Sequence, residues 1–275
     1  DGFRVEVVPS RGGRLLAEDF ARAADARARM ILLSSVQWSS GFRADLAAFS
    51  RLARDRNLVL VVDAIQQLGA INLDVRQTPV DFLVCGGHKW LNAPAGRGLL
   101  YASPAAVRAY APKWWGYLNV EPPPEGWAEY FATPAIPAVR DYAFARSARK
   151  FEVGGTANYP GNVVLGASLA LINEIGIERI EKHVLRLTAL LREKLRAAGA
   201  ELVTPPEPEC WSGITTFTLG QGAARDAALL RRLLDQDILI SQRYTAGVGG
   251  LRVSVHLFNN EEDIDRLASA VKGAW

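Results

Sequence analysis

Four short aliphatic runs constrain this chain more than any other feature: "MILLS" from Met30, "LVLVVD" from Leu58, "VDFLVC" from Val80 and "GLLYA" from Gly98. A strand with one wet face alternates apolar and polar residues. These runs barely alternate, so they predict strands covered on both sides. Between them lie segments with apolar residues at helical spacing, "LAEDFARAADARA" and "RADLAAFSRLARDRN". Strand and helix in turn imply an α/β architecture, a mostly parallel sheet flanked by helices. "FRVEVV", from Phe3, reads as one further strand at the front.

The period is lost after Ala102. "KWWGYLNVEPPPEGWAEYFATPAIPAV" is rich in proline and aromatic residues, and reads as a long irregular segment. Such a segment is either functional and packed across an interface, or a loop anchored to the core by its rings. Helical spacing returns from Pro160, breaks at Gly176 and resumes as a long helix closed by Gly199. "ELVTP", "ITTFTL", "DILIS" and "LRVSV" then predict strands, with helices over "ARDAALLRRLLDQ" and "EEDIDRLASAVKGA". Two domains are expected: a large cofactor-binding α/β domain over residues 1–176, and a bridging helix with a small C-terminal α+β domain over residues 177–275.

Composition narrows the function classes. Hydrophobic residues make up 49% of the chain and charged residues 22%, enough for a full core. The net charge of +3 is small and the arginines are scattered, which speaks against a nucleic-acid surface. Two cysteines, Cys85 and Cys210, make neither a disulfide framework nor a metal cluster, so a reducing, cytoplasmic setting and no metal are expected. No apolar stretch reaches the length of a membrane span, and the first residues lack the form of a signal peptide. The chain opens "DGFRVEVVPS" and its single methionine is Met30, so upstream sequence is expected beyond what is given.

Two residues carry the chemistry. Asp63 ends one aliphatic run; Lys89 follows another in "GGHKW". In open α/β sheets, ligands sit at the carboxyl ends of strands. Taken singly, an acid there is often a helix cap and a lysine a surface residue. Taken together they match the needs of pyridoxal 5'-phosphate. That cofactor takes a lysine amine into a Schiff base and needs a carboxylate facing its pyridine nitrogen. His88 is placed for a phosphate or ring contact.

The stretch from Val61 to Tyr101 resembles the cofactor-lysine region of the class V aminotransferase family of fold-type I pyridoxal-phosphate enzymes. Cysteine desulfurases, selenocysteine lyases, kynureninases and isopenicillin N epimerase-like proteins belong to it. Asp63-Ala64-Ile65-Gln66, Asp81-Phe82, Gly86-Gly87-His88-Lys89 and Gly96-Arg97-Gly98 occupy the family's motif positions. The resemblance implies that Lys89 is the Schiff-base lysine and proton shuttle. It pairs Asp63 with the pyridine nitrogen, Gln66 with the ring hydroxyl, and sets His88 beside the cofactor. "FEVGGTANYPG" is similar to a family stretch whose threonine, here Thr156, reaches the phosphate of the partner subunit's cofactor; a homodimer with shared active sites is implied.

"LRVSVHLFNNEEDIDRL" is similar to the family's C-terminal stretch, whose arginine, here Arg252, clamps a substrate α-carboxylate. The plainer alternative pairs Arg252 with Glu261 or Asp263, and His256 reads as a strand residue. Trp38 stands where relatives carry a small polar residue, and either lines the substrate pocket or fills space. Three departures matter. Gly86 replaces a common serine, "ILISQRYTAGVGGLR" lacks the mobile cysteine of the desulfurases, and the family's Gly-rich phosphate loop and ring-stacking residue would lie upstream of residue 1. The resemblance thus implies an enzyme acting on an amino acid or an amine derived from one, by transamination. Carbon–sulfur or other β- or γ-elimination, or epimerisation without a persulfide cysteine, is the alternative. A catalytically silent dimeric scaffold is the alternative of another class.

Overall fold

The computed structural model describes residues 2–136 and 141–273. Its first sheet joins β1 (Met30–Ser34), β2 (Val59–Asp63), β3 (Phe82–Gly86) and β4 (Gly98–Ala102) in that spatial order. The pairs β1–β2 and β2–β3 are parallel and β3–β4 is antiparallel, so the expectation of a mostly parallel sheet holds. Helices α1 (Ala17–Ala23) and α2 (Leu46–Asp55) cover one face. Asp45 caps α2 by accepting from the Ala48 amide at 3.0 Å. Beneath it, Phe49 packs on Ile31, Leu33, Leu60, Val62 and Leu83, and Phe20 meets the Phe49 ring edge-on at 5.0 Å.

The other face departs from expectation. Met30, Leu32 and Leu100 are 56%, 65% and 42% exposed, and Val84 is exposed beside them. Their registers through Val59 and Val61 make one continuous apolar surface, with Asp63 at its carboxyl end. Within the described residues nothing covers it except near Phe82, whose ring meets Tyr110 and Phe151. The continuous aliphatic pattern registered the need for cover without supplying it.

The predicted strand "FRVEVV" is absent: residues 2–10 pair with no strand among the described residues, and Phe3 is 86% exposed. Strand propensity is realised only against a partner edge, and none lies alongside. Past β4 come α3 (Pro104–Ala109) and α4 (Trp127–Ala132), short helices in an otherwise irregular segment. Buried Asn119 anchors it, accepting from the Gly116 amide and donating to the Trp114 carbonyl, while Trp115 stacks on Phe144 at 3.8 Å. Residues 137–140, the end of the predicted irregular stretch, lie outside the described residues.

Helix α5 (Tyr159–Ile175) and helix α6 (Ile177–Ala197) meet at Gly176, whose φ of +90° lets it close one helix and open the next. The second sheet has β5 (Glu201–Leu202), β6 (Ile214–Thr218), β8 (Val248–Ser254) and β7 (Ser241–Thr245) in that order. Helices α6, α7 (Ala223–Leu234) and α8 (Glu261–Lys272) pack on one face through Leu187, Leu191, Phe217, Leu233, Leu251 and Val271. "DILIS" is corrected here: β7 begins only at Ser241. Asp237 takes a left-handed φ of +57° and the Ile238 amide returns to the Leu233 carbonyl, so residues 237–240 end α7 instead of pairing.

The opposite face of that sheet lies against the first lobe. Thr216 Oγ1 donates to the Ser39 carbonyl at 2.8 Å. Gly41, at φ +73°, presses so closely on β6 that a Cβ there would stand 2.2 Å from the Ile214 carbonyl oxygen. Trp90, Ile71, Leu165, Ile172, Val184 and Ile214 fill the seam between the lobes.

Candidate active site

Asp63 ends β2 in register with Ser34 of β1 and Val84 of β3. Its Oδ1 accepts from the Ile65 amide at 3.0 Å, and its Oδ2 takes no hydrogen bond among the described residues. One strand over, β3 runs out at Gly86 into a turn that fixes the next residues. The Gly87 amide donates to the Arg97 carbonyl at 2.8 Å, Ala93 to Gly87 at 2.9 Å and Asn92 to Lys89 at 3.0 Å. Neighbouring strands lie about 4.8 Å apart, so this turn brings Lys89 to the edge where Asp63 stands.

Lys89 emerges from that turn between exposed His88 and buried Trp90. It is half-buried, and its Nζ has no hydrogen-bond or ion-pair partner among the described residues. Burial lowers the amine's pKa, the Arg252 charge lowers it further, and Asp63 and Cys85 oppose the shift. A desolvated, unpaired amine beside a guanidinium is suited to act as a nucleophile and base.

Arg252 lies on β8, on the face turned to the first lobe. Its Nη1 donates to the Trp38 carbonyl at 3.1 Å, and its Nε is buried without an acceptor. Burial, and secondarily Arg243, lowers its pKa. The pairing with Glu261 or Asp263 does not form: Glu261 is taken by Arg186, and Asp263 caps α8 with Asn260. A half-buried guanidinium with no carboxylate of its own leaves the fork open to an external one.

The other predicted residues fall as follows. Gln66 is 5% exposed and its Oε1 accepts from Trp90 Nε1 at 3.0 Å, which leaves its amide nitrogen free to donate to a ligand. His88 rests against Gly86: a Cβ at Gly86 would meet Ile65 Cδ1 at 2.9 Å and His88 Cε1 at 3.0 Å. The missing serine side chain therefore corresponds to space used by those two residues. Trp38 is 39% exposed, and its carbonyl rather than its ring holds Arg252. Thr156 is exposed in the loop before α5, joined to none of the others by a contact among the described residues.

Two residues have parts that the sequence reading does not assign: His256, expected in a strand but lying past the end of β8, and Arg97, expected only as a motif position. His256 stacks between Trp90 (5.1 Å) and Phe258 (4.3 Å), its Nδ1 accepting from the Leu257 amide at 2.8 Å. Burial lowers its pKa, and its Nε2 is buried without a hydrogen-bond partner. It thus buttresses the lysine turn from the second lobe, a contact no local pattern signals. Arg97 is the other: its Nε is buried without a partner in the turn that holds Gly87. The cysteines take no part. Burial and the Asp63 charge push the Cys85 thiol up to about 12, and burial raises that of Cys210.

Comparison with known proteins gives the family of the chain that carries this site. The sequence model of the aminotransferase class-V family matches residues 1–267. Isopenicillin N epimerase of Streptomyces clavuligerus is 32% identical over 98% of this chain and 66% of its own length. The cysteine desulfurase of Thermococcus onnurineus NA1 superposes with a TM-score of 0.79 at 22% identity, over 98% of this chain and 65% of that one. A variant of C-DES with glycine covalently linked to its pyridoxal-phosphate cofactor superposes with a TM-score of 0.79 at 24% identity, over 93% and 63%. The chain belongs to the aminotransferase class-V family, and its fold is that of the fold-type I pyridoxal-phosphate enzymes. It spans about two thirds of the length of the relatives it matches.

Proposed function

We propose that the full-length protein is a pyridoxal-phosphate-dependent enzyme acting on an amino acid or an amine derived from one, with transamination as its reaction. One observation carries this reading: a half-buried Lys89 amine without a partner, in the shared field of Asp63 and an Arg252 that lacks a carboxylate. These orphaned groups fit the cofactor. Lys89 would hold its aldehyde, Asp63 Oδ2 its ring nitrogen and the Gln66 amide its ring hydroxyl, with His88 alongside. Exposed Thr156 would serve the phosphate of a second copy's site, in a homodimer. When bound, the cofactor supplies an electron-withdrawing ring that acidifies the substrate α-carbon.

The chain's own residues do the rest. Arg252 takes the α-carboxylate in its planar fork, and the Trp38 carbonyl holds that fork in place. Lys89 Nζ accepts and returns the α-proton, a task for which its lowered pKa keeps more of the amine neutral. Elimination or epimerisation uses the same groups and is the second reading, favoured by the epimerase relative. The elevated Cys85 and Cys210 thiols weigh against a persulfide route in either case. In this reading residues 1–176 carry the cofactor, residues 177–275 bring Arg252 to it, and further chain covers the open sheet face beside Asp63.

The test is cofactor capture by full-length protein, followed by visible absorption as a function of pH. Saturable uptake is expected, and Arg252→Gln should move its pH dependence upward, because the Arg252 charge lowers the lysine pKa. Failure to take up pyridoxal phosphate at any pH would instead favour the silent scaffold.

A further inference from the structure

Arg252 is not alone on its sheet face. The β7–β8 ladder sets Ser241 opposite Arg252 and Arg243 opposite Gly250, so Arg243 and Arg252 are diagonal neighbours, roughly 7–8 Å apart at Cα. Side chains alternate along a strand, and the even residues of β7 are accounted for: Gln242 Nε2 donates to the Ala223 carbonyl and the Tyr244 hydroxyl to Asp226, both on α7. Arg243 therefore points with Arg252 toward the first lobe. Its guanidinium makes one intrachain hydrogen bond, Nη1 to the neighbouring Gln242 carbonyl, and it forms no ion pair among the described residues. Arg252 likewise has no carboxylate, and its buried Nε has no acceptor. Two adjacent like charges repel, and neither is paired with an acid among the described residues. Burial is the larger cause of the lowered Arg252 pKa, and the Arg243 charge adds to it.

We propose that Arg243 and Arg252 together recognise a substrate with two carboxylates: Arg252 holds the α-carboxylate, and Arg243 determines specificity for a second, side-chain carboxylate. The inference rests on the proposed reading of Arg252 as the α-carboxylate site and names the substrate class within it. Bridging the two guanidiniums with one dianionic ligand relieves their repulsion and satisfies the orphaned Nε at once, which a monocarboxylic amino acid cannot do.

Calorimetric titration of full-length protein with glutarate and with butyrate tests this without turnover. Glutarate is expected to bind about 10-fold or more tightly than butyrate. Arg243→Gln should erase that preference by weakening glutarate far more than butyrate, and Arg252→Gln should weaken both. Arg243 is exposed and makes no tertiary bond, so the variant should fold. Equal affinity for the two acids, or an Arg243→Gln variant that weakens both alike, overturns the proposal. Pyridoxal-phosphate uptake measured on the same preparation separates the two claims. Uptake without a glutarate preference sinks the dicarboxylate inference alone. A preference without uptake sinks the cofactor reading and leaves the paired anion site standing.

Discussion

Full-length protein carrying Lys89→Ala is expected to lose about 10²–10⁴-fold in kcat on any amino acid the parent turns over. Freed of cofactor, it should nonetheless melt at the temperature of the cofactor-free parent or slightly above. The two halves of this expectation have one cause. Lys89 Nζ bonds to nothing in the described chain, so truncation strands no buried partner, and it removes a cation that burial and Arg252 both disfavour. A residue kept half-buried, unpaired and next to a like charge contributes nothing evident to folding; its value lies in reactivity. Steady-state kinetics and circular-dichroism melting check the two halves separately. A variant within 10-fold of the parent's kcat would remove Lys89 from the chemistry.

Trp90→Ala should do the reverse and act on stability first, costing about 3–5 kcal/mol in urea unfolding. Trp90 is 4% exposed in the seam between the lobes. Its Nε1 holds Gln66, its face stacks on His256, and its ring edge lies so near Gly213 that a Cβ there would be 2.6 Å away. Trp90→Phe should keep the apolar contact but leave the Gln66 carbonyl buried without a donor, at about 1–3 kcal/mol. An alanine variant as stable as the parent would mean that the seam does not hold the lysine turn.

What the sequence disclosed depended on how locally each feature is encoded. The strands β1 to β4 and the strand-end positions of Asp63 and Lys89 were legible, because aliphatic runs and Gly-rich exits are local signals. The seam was not. Trp90 meets His256 and Trp38 meets Arg252 across the lobes, and no spacing within either segment reports the partner. "FRVEVV" misled for a related reason: a strand needs an edge to join, and propensity does not say whether one is present. "DILIS" misled because Ile238 and Ile240 serve equally well to pack the exit of α7, while Leu239 stays exposed. The Arg252 alternatives were separable only in the fold, where Arg186 and Asn260 take the two nearby acids. Thr156, exposed and apart from the rest, has a role only if a second copy approaches.

The central claim is that Lys89 is the residue that holds the cofactor. Borohydride reduction of full-length protein loaded with pyridoxal phosphate, followed by proteolysis and peptide mass mapping, addresses it most directly. The account predicts one stoichiometric pyridoxyl label, on Lys89, absent from the Lys89→Ala variant. A label on another lysine, or stoichiometric labelling that persists in that variant, would contradict it.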